Sequence, residues 1–369
     1  MAAIRTFVKR EPVLLIAAAA ALISCFFVPP DAAYLGYMDF RTLALLFCLT
    51  TVVAGLRQAG LFARLAHSLC ENVKSVRMIG LVLVLLCFFT AMLITNDVAL
   101  LTFVPFAVVV LGMADHRQDL IHVVVLQTVA ANLGSMLTPV GNPQNLYLYS
   151  YYNLSFAAFL RATLLVWLLS LLLVSAACFV LSPAPLSLFL GEEPDLDRKA
   201  LRLYLALFVV CLLVVLRVIN WPVMLGIVVL ALLIFDRKIL LKADFMLLLT
   251  FVAFFVFSGN LARIDAVDKL LRRLLEGRVY LTSLLASQVI SNVPAALLLS
   301  GFTQDARSLL LGVNIGGLGT PIASLASLIS MKLYAHSEHS RAGRYLAEFT
   351  LVNIVLLLVL SFVQGVIRW

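Results

Sequence analysis

Apolar residues fill this chain in runs long enough to cross about 30 Å of hydrocarbon, and the polar segments between them are too short to fold as a separate soluble domain. The pattern predicts helices over about 11–30, 40–56, 155–181, 201–219, 221–235, 244–258 and 345–367. Two further apolar runs carry a short polar tip, Thr95-Asn96-Asp97 and Ser291-Asn292-Val293-Pro294, and two more are interrupted at their centres, at 132–145 and 314–324. The arms beside the second tip, 280–290 and 293–303, are each about 11 residues and too short to span, so that segment reads as a re-entrant hairpin. The arms around Asn96 are longer and fit either a hairpin or two crossings; in both cases the chain returns to the side it left.

The polar landmarks repeat. "NLGSMLTPVGN" from Asn132 parallels "NIGGLGTPIAS" from Asn314, and "LITNDVALL" around Asn96 parallels "VISNVPAALL" around Asn292. Upstream, "DFRTLALLFCLTTVVAGL" from Asp39 parallels "DFMLLLTFVAFFVFSGNL" from Asp244, each followed by an amphipathic basic stretch suited to the membrane surface. These anchors divide the chain into a first repeat (1–182), a linker loop with a connecting helix (183–220) and a second repeat (221–369). Four crossings per repeat plus the connecting helix make nine, so the second repeat starts on the opposite face and the two are inverted. The expected fold class is an all-α polytopic membrane protein: two inverted repeats, about nine transmembrane helices, two re-entrant hairpins and two discontinuous helices.

Composition agrees: 63% of the 369 residues are hydrophobic and 12% charged. The net charge of +8 comes from Lys and Arg scattered through short loops, which makes them topology determinants and argues against a nucleic-acid partner. An inner (plasma) membrane protein with a cytoplasmic N-terminus places Arg5, Lys9, Arg10, Arg198, Lys199, Arg202, Arg237, Lys238, Lys242, Arg341 and Arg344 inside. The basic stretch with Arg263, Lys269, Arg272, Arg273 and Arg278 is then the exception, tolerable on a surface helix. The opening basic-then-apolar run can be read as a cleaved signal; its length and its counterpart at 221–235 favour a retained helix. Tyr147, Tyr149, Tyr151 and Tyr152 fall where an interfacial aromatic belt belongs. The six Cys form no CxxC pair, His336 and His339 belong to a solvated loop, and nothing indicates a transition metal or an enzyme.

Chemistry therefore concentrates at the tips and breaks. Pro139 and Pro143 remove backbone donors, Gly134 and Gly141 permit unusual dihedrals, and the freed carbonyls need a partner that lipid does not supply. One reading is a kink packed against a neighbouring helix; the other is an ion and substrate site, which two repeat-related breaks, each with a polar tip, favour. Asp97 is the acid deep within an apolar segment: it can ligate Na⁺, exchange a proton, or cap the helix that follows. The second tip has no acid, so the half-sites are not equivalent.

The paired tips "TND" and "SNV", each followed by an interrupted helix with "TPVGNPQN" or "TPIAS", resemble the ion transporter superfamily that includes divalent anion:sodium symporters, citrate-transporter-like permeases and arsenite permeases. The resemblance covers essentially the whole chain. It implies that Thr95, Asn96 and Asp97 with Asn132, Gly134, Thr138, Gly141 and Asn142 frame one Na⁺ site. Ser291 and Asn292 with Asn314, Gly316, Thr320 and Ser324 would frame a second. Substrate is implied between them, touched by Thr95, Asn96, Asn142, Ser291, Asn292 and Thr320. A homodimer with a transport domain sliding against a scaffold is implied as well. "TND" is closer to the arsenite-permease and antiporter branches, "GNPQN" is similar to the dicarboxylate "GTPPN", and the second break lacks that tail. The functional expectation is a secondary transporter of a small anion, a carboxylate or oxyanion, with Na⁺ or H⁺ as coupling ion and no other cofactor. A cation/proton antiporter using Asp97 is the alternative, ahead of a channel-like pore or a non-transporting scaffold.

Overall fold

A computed structural model describes residues 11–71, 73–113, 117–185, 192–337 and 340–366. Arg5, Lys9, Arg10, His116 and His339 lie outside them. The described regular structure is helical, apart from an isolated bridge between Ser75 and Pro185. In chain order the α-helices longer than four residues are α1 (Pro12–Phe27), α2 (Phe40–Gln58), α3 (Leu61–Cys70), α4 (Val76–Ile94), α5 (Asn96–Met113), α6 (Arg117–Gly134), α7 (Pro143–Tyr151), α8 (Phe156–Ala177) and the connecting α9 (Arg198–Val215). There follow α10 (Trp221–Phe235), α11 (Phe245–Ala262), α12 (Asp265–Leu275), α13 (Val279–Ile290), α14 (Asn292–Leu299), α15 (Ala306–Ile315), α16 (Leu325–Ala335) and α17 (Ala342–Val366).

Residues that stand parallel in the sequence have the same local roles. Asp39 caps α2 by accepting from the Thr42 N–H, and Asp244 caps α11 by accepting from the Leu247 N–H. Pro stands in the first turn of both α1 and α10, where a missing N–H costs nothing. Six described helices, in α2, α4, α6, α8, α11 and α17, are long and apolar enough to cross a membrane; α1, α10 and the helices around tips and breaks are shorter. Large apolar side chains point outward from α1 (Phe26, Phe27), α10 (Leu230, Phe235) and α17 (Leu351, Phe362). Such continuous apolar surface belongs against lipid, and the chain is a multi-pass membrane protein.

Packing sets the centre of the molecule. The α6 span Asp119–Leu137 is 89% buried, against 22% for Ala342–Val366 in α17. Thus α6, enclosed by α4, α5, α8, α16 and α17, is the element on which a polar site can be hidden from lipid. Near its start, His122 Nδ1 and Glu348 Oε1 of α17 are 2.6 Å apart, and His122 Nε2 meets the Ala177 carbonyl at 3.2 Å. Breaking a largely buried pair leaves the partner uncompensated. Glu348→Gln is therefore expected to lower stability by about 1–3 kcal/mol, read as a fall in Tm in detergent, because an amide replaces the charged acceptor.

Two sequence expectations change. Of the four tyrosines assigned to an interfacial belt, Tyr151 is exposed, whereas Tyr147 and Tyr149 are buried with hydroxyls bonded to Ser300 Oγ (2.7 Å) and the Val215 carbonyl (2.6 Å). They bind helices together at the end of α7. The basic exception is also milder than its charge count: Arg263 pairs with Asp31 at 2.8 Å, and Arg272 Nε meets both Asp268 oxygens at 2.8 and 2.9 Å. Asp31 is held below the usual carboxylate range, first by its bond to the Arg263 guanidinium. That contribution is present at neutral pH and is lost as acid protonates Asp31.

Candidate functional site

Each tip is a single residue between two helices, and both adopt the same unusual backbone. Thr95 ends α4 at φ 77°, ψ 150°, and Ser291 ends α13 at φ 71°, ψ 155°. This region is nearly reserved for glycine, and a residue with a Cβ there costs on the order of 1–3 kcal/mol. The strain puts Asn96 and Asn292 at the first positions of α5 and α14, each only 4% exposed. Asp97 falls inside the first turn of α5 rather than at its cap; the Asp97 N–H donates to Asn96 Oδ1 at 2.9 Å. An acid in that turn suits the helix dipole.

The first break runs from Gly134 through two 3₁₀ turns (Ser135–Leu137, Pro139–Gly141), with Thr138 and Asn142 extended, to Pro143 at the start of α7. The second lies between Ile315 and Leu325, with Ser324 extended before α16. Neither Gly134 nor Gly141 has positive φ, which corrects the dihedral argument made from sequence. They are glycine because of close approach: a Cβ on Gly134 would lie 2.0 Å from the Phe88 carbonyl oxygen, and one on Gly141 2.1 Å from that of Ser135.

Asn132 is the hub. Its Oδ1 accepts from Asn96 Nδ2 (3.0 Å) and Ser324 Oγ (2.9 Å), and its Nδ2 donates to Ser327 Oγ (3.3 Å). Ser135 Oγ donates to the Asn132 carbonyl, Asn142 Nδ2 donates to Ser135 Oγ, and Asn314 Nδ2 donates to Asn145 Oδ1 at 2.7 Å. Ser324 and Asn314, grouped with Asn292 by the resemblance, thus bond to first-break residues. Asn292 and Ser291 instead hold the Ala323 carbonyl, through the Asn292 N–H (2.9 Å) and Ser291 Oγ (3.3 Å). Gly316 and Thr320 lie against Gln288.

The freed carbonyls are largely met by protein donors. Asn145 Nδ2 serves Ser135 O and Thr138 O, Trp167 Nε1 serves Gly134 O, Gln288 Nε2 serves Gly316 O and Leu318 O, and the Thr138 hydroxyl bonds to the Met92 carbonyl. What stays open is amide side chains: Asn142 Oδ1, both polar atoms of Gln144, and Asn314 Oδ1 are buried without a protein partner. Each such group costs about 1–3 kcal/mol unless something binds it.

Four helices, α5, α7, α14 and α16, begin at the tips and breaks, and the residues before α7, α14 and α16 make no side-chain cap bond. The bonds through Asn132 and Ala323 gather these ends, and with them the positive ends of the helix dipoles. Beside them is a cavity of about 230 Å³, whose lining includes Thr95, Asp97 and Asn142 together with Arg57, Lys242 and Asp244. Sequence reasoning missed Ser135, Gln144, Asn145, Gln288, Ser327 and Arg57 as site residues. The tail "GNPQN" was a signal for the second and third.

Residues 1–307 match a family model described as citrate transporter. An uncharacterized transporter of Methanocaldococcus jannaschii is 30% identical over 335 residues, covering 88% of each chain. Inner membrane protein YbiR of Escherichia coli is 29% identical over 317 residues, covering 84% of each.

Proposed function

This chain belongs to the citrate transporter family, and on that premise we propose that it is a secondary transporter moving a small carboxylate or oxyanion across the inner membrane, coupled to Na⁺ or H⁺. The observation that carries the reading is the gathering of four helix starts, three of them without a side-chain cap bond, around a buried amide network with open acceptors and donors. Oriented N–H groups favour negative charge without needing a buried cation. Arg57 and Lys242 at the cavity add long-range attraction for an anion, and Asp97 offers a place for the coupling ion.

In this reading Asn96, Asn142, Asn292, Thr95, Ser291 and Thr320 contact substrate, and the cation contacts Asp97 and the Asn132 network. The two repeats are inverted, the hairpins are re-entrant, the N-terminus is cytoplasmic, and a homodimeric scaffold lets the transport domain slide.

Proteoliposome uptake tests it. Citrate, succinate and phosphate are offered under an inward Na⁺ or proton gradient; at least one is expected to accumulate, and Asn96→Ala to abolish accumulation while the protein stays monodisperse. Sodium-driven proton movement without any anion, lost in Asp97→Asn, would instead establish the antiporter.

A further inference from the structure

We propose that the side-chain amide of Gln288 stands where a second coupling cation would sit, so that the second half-site binds none and the driving ion is held by the first half-site alone. The inference rests on the coupled-transport reading above and concerns how many ions it uses.

Aligning Asn96 with Asn292 sets Met92 opposite Gln288, and aligning Asn132 with Asn314 sets Gly134, Met136 and Thr138 opposite Gly316, Leu318 and Thr320. The geometry supports this register independently. Thr138 donates its hydroxyl to the Met92 carbonyl, and Thr320 Oγ1 donates to the Gln288 carbonyl at 3.1 Å. With the matching dihedrals at Thr95 and Ser291, hairpin meets break in the same way twice.

What differs is the side chain at that position. Met92 has no N–H to give. Gln288 Nε2 lies 2.7 Å from the Gly316 oxygen, 3.0 Å from Leu318 and 3.3 Å from Leu284, while its Oε1 accepts from the Thr320 N–H at 3.0 Å. Unwound carbonyls converging on one point, between hairpin and break, are how broken helices hold a monovalent cation. Here a neutral NH₂ group fills that point. Room for it depends on Gly319: at φ +102°, a Cβ there would fall 2.2 Å from Gln288 Oε1. In the first half the carbonyl matching Gly316 is that of Gly134, and its donor is Trp167 from α8, not a hairpin residue. The gap between first hairpin and first break is bridged by Asn96 and Asn132, whose oxygens can turn to an ion.

Two measurements on purified full-length protein test the proposal. Equilibrium dialysis with radioactive sodium is expected to saturate at no more than one ion per protomer; two per protomer would overturn it. In choline buffer, Gln288→Ala is expected to melt below wild type, and exchanging choline for sodium to raise its Tm by about 2–4 °C beyond any rise in wild type. A sodium response no larger than that of wild type would overturn it too. Gly319→Ala, which displaces the amide without deleting it, is expected to acquire the same response and serves if Gln288→Ala does not fold. The functional reading fails separately: a protein that accumulates no anion yet shows the sodium-responsive variants loses that reading and keeps the role of Gln288.

Discussion

Replacing Asn132 with Ala is expected to cut gradient-driven anion uptake roughly 100-fold or more. Asn132 receives Asn96 and Ser324 on one oxygen and reaches Ser327 with its nitrogen. Truncation strands three buried groups, at about 1–3 kcal/mol each, and about 1.4 kcal/mol already corresponds to tenfold. The groups stranded belong to the first tip and to α16, which the site needs in register. Initial uptake rates at equal protein density are the measurement; a rate within a few-fold of wild type would remove Asn132 from the centre of the site.

The largest loss of stability is expected from Gly134→Ala. Its Cβ would meet Phe88 backbone atoms, the carbonyl oxygen at 2.0 Å and the carbon at 2.7 Å, so relief requires α4 and α6 to move apart. Overpacking of this kind costs about 1–3 kcal/mol where side chains can adjust, and backbone adjusts less. Gly226→Ala in α10 is the matched control. A Cβ there has no neighbour within 4 Å, and exchanging helical Gly for Ala adds up to about 1 kcal/mol. Detergent melts are therefore expected to move in opposite directions for two chemically identical substitutions. Equal shifts would show that close approach at Gly134 is not what fixes its identity.

The sequence made the ends and interruptions of helices readable because Pro, Asn and Gly are expensive inside an apolar run and appear there for a reason. Both tips and both breaks were visible on that ground. Partners were not. Asn132 meets Ser324 and Ser327 across almost 200 residues, and no local pattern encodes such a pairing. Arg57 and Lys242 sit at helix ends, where a basic residue looks like an ordinary topology signal, so their place at the cavity emerges only in three dimensions. Gln288 was missed because a lone Gln in a helix of Ser and Leu resembles a surface residue. Gly134 was noticed for the wrong property: the sequence reveals that a side chain is absent, not whether dihedral freedom or space is the cause.

The hydrogen bonds that join the two halves of the site also bear on how the protein is made. Asn132, Asn145 and Tyr147 lie in segments synthesised well before Ser324, Ser327, Asn314 and Ser300, the groups that satisfy them. When α6 leaves the ribosome, Asn132 can meet Asn96 but not Ser324 or Ser327, and hydrocarbon offers no substitute. The first broken helix must therefore wait in a hydrated or guarded setting until nearly the whole chain has emerged. Its final seating is a late event in biogenesis, and the last third of the protein acts as the template on which the first half of the site closes.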